Sequence, residues 1–167
     1  HTDNRRQRQM CIRDRHEAPS LGNHITKCIR EGVYDPHFTS KYTDQEIDEL
    51  DSYIDHDRDY LFTYAGLRQV TDKYLVQDRS TGDLYETPQF MYIMIAATMF
   101  SEYPQETRLD YVKRYYDAIS RHRINIPTPV MGGVRTPIRQ FASCVLVDID
   151  DTLDSIFSSD MAIGKYV

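Results

Sequence analysis

The sequence predicts a mainly α-helical fold with a small β-hairpin and one late strand. Three observations predict this fold. Apolar residues recur every three or four positions along several stretches that follow polar capping residues. A glycine-containing turn, Ser80–Asp83, separates two short stretches that are typical of paired strands. The segment from Gln140 to Asp148 alternates in character, which is typical of a single strand.

The first helices follow from their capping residues. A short helix is predicted from Ser20 to Arg30, and Gly32 closes it. Thr43 and Glu46 form a capping-box pattern, in which a hydroxyl and a carboxylate satisfy reciprocal backbone donors at the start of a second helix. A further helical stretch is predicted over residues 61–70.

A hairpin and two longer helices are predicted next. The stretch from Tyr74 to Glu86 has a strand–turn–strand pattern with glycine near the tip. Thr87 and Pro88 have the residue types preferred at the N-cap and first position of a helix. The helix that follows is apolar almost all round and is therefore predicted to be central. Pro104 ends it and helps to start another helix.

The last third of the chain is predicted to contain less regular structure. Residues 124–139 contain several prolines and glycines and are predicted to form a loop. The strand from Gln140 to Asp148 follows the loop. Asp150 or Asp151 is predicted to cap a final helix.

Composition argues against several classes of protein. With 40% hydrophobic residues the chain can form a real core, and a net charge of −6 argues against a groove for nucleic acid. The longest apolar run, Phe90–Phe100, is 11 residues long, whereas a membrane span needs roughly 20. The polar N-terminus is unlike a secretory leader, so we expect a cytoplasmic protein without membrane contact. Three cysteines without a CxxC pattern argue against a disulfide scaffold or a zinc site.

Residues 1–15 differ from the rest of the chain. They contain five arginines and two aspartates and almost no apolar periodicity. Such a segment cannot bury apolar surface. We therefore predict that residues 1–15 form a disordered or appended segment outside the fold.

Two polar or aromatic clusters have both a functional and a structural interpretation. Residues 55–59 could hold a metal ion, but a helix surface with local ion pairs is favoured, because only Asp55 and Asp59 have suitable spacing. The tyrosines around Tyr115 could form an electron-transfer relay, but packing of an amphipathic helix is favoured.

Two further candidates lie late in the chain. The loop at residues 127–133 could present backbone amides to a phosphate, with Cys144 facing the same ligand, although a packed core thiol is the simpler interpretation of that cysteine. Asp151 could read a nucleotide from a helix start or act only as a cap.

Several stretches of the chain resemble the large, catalytic subunit of class I ribonucleotide reductase. The resemblance runs collinearly from about His16 to the end of the chain. The stretches on which it rests are Tyr53–Asp59, Lys73–Gln77, Tyr103–Leu109, Pro127–Met131, Gly133–Pro137 and Gln140–Leu146. Residues 1–15 show no such resemblance.

The resemblance implies how the chain is organised. Residues 16–139 would be a helical N-terminal domain, and residues 140–167 the first strand of a ten-stranded α/β barrel with the start of the following helix. The ATP cone of the family would precede this segment, and most of the barrel would follow it. The chain would then be a fragment that is inactive alone, because the radical-forming cysteine of the family lies downstream.

The resemblance also implies roles for individual residues. Cys144 would be one of two thiols that reduce the substrate and end as a disulfide. Thr128 and Ser143 would line the ribonucleoside diphosphate site. The residues Asp151, Thr152 and Leu153 would contact a nucleoside triphosphate effector, ATP or a deoxynucleotide, near the dimer interface.

Cofactors and partners are implied in the same way. The fragment would bind no metal or cofactor directly, and a metal-containing small subunit would supply the radical. Thioredoxin or glutaredoxin would regenerate the thiols of a homodimeric large subunit. Two alternatives remain open: a non-catalytic helical nucleotide-binding or interaction module, and the cobalamin-dependent class of the same enzyme.

Overall fold

The computed structural model describes residues 19–78, 80–139, 141–142 and 144–166, and this part of the chain is mainly helical. The predicted segment 1–15 lies outside the described residues. The α-helices are α1 (Leu21–Arg30), α2 (Asp44–Ser52), α3 (Tyr64–Lys73), α4 (Pro88–Met99), α5 (Gln105–Ser120), α6 (Thr128–Gly133) and α7 (Leu153–Tyr166). Two 3₁₀ helices, Pro36–Ser40 and His56–Leu61, precede α2 and α3 respectively.

The capping residues predicted for α1 and α2 start these two helices, whereas the helix predicted over residues 61–70 begins only at Tyr64, after the second 3₁₀ helix. Ser20 caps α1, and Gly32 follows its end with a φ of 72°, a conformation that favours glycine. The capping box of α2 is complete: Thr43 accepts from the Glu46 backbone, and the Glu46 carboxylate accepts from the Thr43 backbone. These local signals therefore predict the helix starts correctly.

Helix α4 forms the centre of the core, as its apolar sequence predicts. Ten of its 12 residues are buried. It packs against α5, α6 and the second 3₁₀ helix, while α1 packs on α2 and α2 also contacts α5. A helix that is apolar all round needs neighbours on every side, and this arrangement supplies them.

The predicted hairpin is reduced to one pair of residues. Gln77 and Leu84 form an isolated antiparallel bridge, and the described residues around them form no regular strand. The backbone amide of Val76 donates to the Glu86 carboxylate (2.9 Å), so a side chain takes a donor that a longer ladder would use. A two-stranded hairpin by itself is also marginally stable.

Residues 124–139 were predicted to be a loop, and this is wrong for the part that forms α6. Proline is tolerated in the first turn of a helix because its missing N–H needs no partner there. Pro127 is the N-cap of α6, and Pro129 lies in its first turn. The sequence pattern of prolines followed by glycines therefore marks the start of a short helix rather than an open loop.

The predicted strand from Gln140 to Asp148 is not confirmed. Its described residues, 141–142 and 144–148, have no regular secondary structure, and the Leu146 side chain is 97% exposed. A strand needs a neighbouring strand to satisfy its backbone groups. The described part of the chain offers it none.

The predicted cap of the last helix is also wrong by one or two residues. Thr152, not Asp150 or Asp151, lies directly before α7, and its Oγ1 accepts from the Ser155 backbone (3.2 Å). The Asp150 backbone instead donates to the Ser155 hydroxyl (2.8 Å). Asp, Ser and Thr are all good N-caps, so residue type alone could not decide among the three neighbours.

Candidate functional site

Thr128 is the first residue of α6, and its side chain is exposed. Its Oγ1 lies 3.1 Å from the phenol oxygen of Tyr74, within hydrogen-bond distance. This hydrogen bond is the main reason that the pKa of Tyr74 is lowered. Tyr74 ends α3, and only 8% of its surface is exposed. The candidate substrate residue is therefore held by a tyrosine that belongs to the core.

Behind Tyr74 lies a fully buried ion pair between Arg135 and Glu86. Both side chains have no exposed surface. Arg135 Nε donates to both carboxylate oxygens (2.9 and 3.1 Å), and Nη2 also contacts the carboxylate. Burial alone would lower the pKa of Arg135, but the Glu86 carboxylate outweighs burial and raises it. The guanidinium of Arg135 therefore stays charged inside the core.

The same guanidinium fixes two pieces of backbone. Arg135 Nη2 donates to the Tyr74 carbonyl (2.8 Å), and Nη1 donates to the Met131 carbonyl in α6 (2.5 Å). Its own carbonyl accepts from the Asp35 backbone (3.0 Å). Arg135 thus connects the end of α3, helix α6 and the residue that precedes the first 3₁₀ helix.

A second buried chain of polar groups ends at Glu86. The Tyr34 hydroxyl donates to the Glu86 carboxylate (2.5 Å) and lies 3.0 Å from His24 Nε2. Burial lowers the pKa of His24 to about 4, so this imidazole is neutral at pH 7. Burial also raises the pKa of the neighbouring Cys28 to about 12, which keeps it a thiol. These groups support Glu86 and are unsuited to redox chemistry.

Cys144 lies after the helical body, in a segment of irregular structure, and its side chain is exposed. This exposure contradicts the simpler interpretation of Cys144 as a packed core thiol, and the redox role of Cys144 stays a prediction. Ser143 lies outside the described residues. The thiol is thus accessible, whereas the relation between Cys144 and Ser143 stays a prediction.

The three residues expected to contact an effector lie together at the start of α7. Asp151 is exposed, Thr152 caps the helix, and Leu153 is 71% exposed. Within the described residues, no hydrogen bond or ion pair connects this group to Thr128.

Two open clefts flank Tyr74, which lines both. One, of about 410 Å³, is lined mainly by apolar and aromatic side chains, among them Phe62, Tyr92 and Met131. The other, of about 480 Å³, lies between the end of α3 and the segment from α6 to Ile138. Both clefts therefore adjoin α6, the helix that presents Thr128.

The cluster at residues 55–59 is structural in the described part of the chain. Arg58 pairs with Asp55 (3.2 Å) and Asp117 (2.7 Å), as the ion-pair interpretation predicts. Asp59, however, is buried and accepts from Gln89 (2.7 Å), which a solvated surface does not predict. Among the described residues, no three His, Cys, Asp or Glu side chains are grouped to hold a metal ion.

The tyrosines of α5 are used in packing. Tyr116 is fully buried, and its hydroxyl donates to Gln89 (2.8 Å). Tyr111 and Tyr115 contact the Phe100 ring, with centroids 5.7 and 5.5 Å away.

No helix in the described residues is long and apolar enough to cross a membrane.

Comparison with known proteins defines the class of this helical domain. Residues 60–139 match the family described as the ribonucleotide reductase all-alpha domain. The chain is 54% identical over 151 residues to the ribonucleoside-diphosphate reductase 1 subunit alpha of Escherichia coli K12. It is 45% identical over 152 residues to the ribonucleoside-diphosphate reductase subunit alpha of Enterobacteria phage T4.

These alignments cover 90% and 91% of this chain, respectively, and 20% of each relative. The chain therefore spans about a fifth of the length of the curated relatives that it matches. Over residues 60–139 the chain matches the all-alpha domain of ribonucleotide reductase, and along most of its length it is similar to alpha subunits, as the resemblance of its sequence predicts.

The sequence did not reveal the residues that hold Thr128. Tyr74 and Glu86 were predicted only as members of a hairpin, and Arg135 only as part of a loop. Glu86 and Arg135 are 49 residues apart, and no periodic pattern connects them. The position of Arg135 in a proline- and glycine-rich stretch is a signal that this charged residue has a special role. It does not identify Glu86 as the ion-pair partner.

Proposed function

We propose that the complete protein to which this chain belongs reduces ribonucleoside diphosphates to deoxyribonucleoside diphosphates. The observation that supports this most strongly is the 54% identity, over 90% of the chain, to an alpha subunit named for that activity. The exposed thiol of Cys144 is compatible with the proposal, because reduction and reoxidation require access to partners.

The proposed reaction balances with two thiols as the reductant. In the complete protein, a further cysteine would carry the radical that a separate metal-containing small subunit supplies. This radical abstracts the 3′ hydrogen of the ribose, and the hydrogen is later returned. The 2′ hydroxyl leaves as water. Cys144 and a second thiol elsewhere in the complete protein give up two electrons and two protons and form a disulfide. Thioredoxin or glutaredoxin then reduces that disulfide.

We assign substrate contacts to Thr128 and Ser143. Thr128 is an exposed residue at the start of α6, which supports contact with the ribonucleotide. In the complete protein, residues 140–148 would become the first strand of a ten-stranded α/β barrel when neighbouring barrel strands pair with it. Neighbouring side chains on a regular strand point to opposite faces, so Ser143 and Cys144 would both reach the substrate only if one acts through its backbone or the strand is bulged there.

We assign Asp151, Thr152 and Leu153 to a nucleoside triphosphate effector, ATP or a deoxynucleotide. The effector would bind near the interface of a homodimer. The exposed apolar side chains of α7 support burial of this helix in the complete, cytoplasmic protein; they are Leu153, Ile156, Phe157, Met161, Ile163 and Tyr166.

The proposal is tested with the full-length large subunit, its small subunit and thioredoxin. We expect deoxyribonucleoside diphosphate to form from the ribonucleoside diphosphate, and formation to require both subunits. Product formation by the large subunit with adenosylcobalamin in place of the small subunit would indicate the cobalamin-dependent class instead. Absence of product under every condition would contradict the proposed activity.

Replacing Asp151 by asparagine is expected to weaken triphosphate effector binding about threefold to tenfold in the full-length protein. The substitution removes the negative charge, and α7 should be unaffected because Thr152 provides its cap. Equilibrium binding of the triphosphate, together with substrate preference at saturating effector, measures the effect.

Asp154→Asn is the matched control, because Asp154 is an exposed acid in the first turn of the same helix. We expect effector affinity to stay unchanged in the control. Equal affinity in wild type and Asp151→Asn, with equal substrate preference, would remove Asp151 from the effector site.

A further inference from the structure

We propose that Tyr74 is a positioning residue that orients the Thr128 hydroxyl toward the ribonucleotide, and that the buried Glu86–Arg135 pair holds Tyr74 in place. The inference rests on the proposed function, since it takes Thr128 as a substrate contact. It adds a residue that the sequence assigned only to a predicted strand.

Tyr74 is fixed at both its backbone and its side chain. Its carbonyl accepts from Arg135 Nη2 (2.8 Å), and its amide donates to the Val70 carbonyl (3.0 Å) at the end of α3. The ring is almost completely buried, whereas the phenol oxygen reaches the exposed Thr128. The phenol is therefore a rigid hydrogen-bond partner at the edge of the core.

Helix α6 depends on such outside support. It has six residues, too few for a helix that is stable by itself in water. Tyr74 holds its first residue, and Arg135 holds the carbonyl of Met131 near its end (2.5 Å). The position of Thr128 is thus determined by two contacts that both lead back to the Glu86–Arg135 pair.

The hydrogen bond also restricts what Thr128 can offer a ligand. An exposed threonine hydroxyl without a partner samples several rotamers and can donate in several directions. The bond to the Tyr74 phenol, whichever hydroxyl donates, uses one hydrogen-bonding direction of the Thr128 hydroxyl and leaves its remaining direction for an oxygen or a donor of the ribonucleotide. Pre-organisation of this kind strengthens binding, because less freedom is lost when the substrate arrives.

The test uses full-length large subunit with its small subunit and measures kcat and KM for a ribonucleoside diphosphate. We expect Tyr74→Phe to raise KM about threefold to tenfold, with kcat changed less than about twofold. Tyr64→Phe is the matched control, because Tyr64 is an exposed tyrosine at the other end of α3. Its KM should equal that of the wild type.

A double-mutant cycle separates positioning from a general loss of structure. If Tyr74 acts through the Thr128 hydroxyl, adding Tyr74→Phe to Thr128→Val should cause no further rise in KM. Independent, multiplicative effects of the two substitutions would overturn the inference. So would a lowered thermal midpoint of Tyr74→Phe with wild-type KM, since this indicates a structural role alone.

The outcome also distinguishes the inference from the function on which it rests. A wild-type enzyme that forms no deoxyribonucleotide contradicts the proposed function itself. An active wild type whose KM does not change in Tyr74→Phe contradicts only the role of Tyr74.

Discussion

Replacing Arg135 by methionine is expected to lower the free energy of unfolding of the 167-residue chain by about 3–5 kcal/mol, because the substitution leaves the buried Glu86 carboxyl without its ion-pair partner. It also removes donors from the buried carbonyl of Tyr74 and the partly buried carbonyl of Met131. Urea denaturation followed by far-ultraviolet circular dichroism measures the loss.

Arg114→Met is the control for this experiment. Arg114 pairs with Asp110 on the surface of α5, and both side chains are largely exposed. Exposed ion pairs contribute little to stability, so we expect the free energy of unfolding to change by no more than about 0.5 kcal/mol. Similar effects of the two substitutions would show that the buried pair has no special role in stability.

Replacing Cys144 by serine is expected to reduce sustained deoxyribonucleotide production by the full-length enzyme to background. Serine is close to cysteine in size, so the exposed position should tolerate it, but serine cannot form a disulfide. Repeated turnover with thioredoxin as reductant measures the effect.

Cys28→Ala provides the comparison. Cys28 is buried in α1, and the raised pKa of its thiol, about 12, makes it a poor nucleophile. We expect this variant to lose some stability and to keep turning over. Turnover of Cys144→Ser at the wild-type rate would refute the assignment of Cys144 as an electron donor.

The parts of the fold that local chemistry determines were predictable from the sequence. The Thr43–Glu46 capping box and the Thr87–Pro88 helix start need only neighbouring residues, and both are confirmed. The core position of α4 follows from its all-round apolar composition. The resemblance to ribonucleotide reductase was predicted from stretches of matching sequence and is confirmed by the relatives.

The remaining features depend on contacts between distant residues. The hairpin ends early because Glu86 takes the Val76 amide, and this carboxylate is in turn held by Arg135, 49 residues away. The segment predicted as a strand, residues 140–148, needs neighbouring strands as backbone hydrogen-bond partners before it can form a β-strand. Thr152 caps α7, and two aspartates precede it. All three residues are suitable N-caps, so residue type alone does not predict which one is used. The roles of Cys144, Ser143 and Asp151 stay predictions.

The most direct test of the account is the redox state of Cys144 after turnover without an external reductant. Full-length enzyme is reduced, freed of reductant, mixed with its small subunit and substrate, then quenched in denaturant and alkylated. We predict that Cys144 resists alkylation in proportion to the deoxyribonucleotide formed and becomes reactive again after dithiothreitol, while Cys28 is alkylated throughout. If deoxyribonucleotide forms and the reagent added after the quench still alkylates all of Cys144, the result contradicts the account.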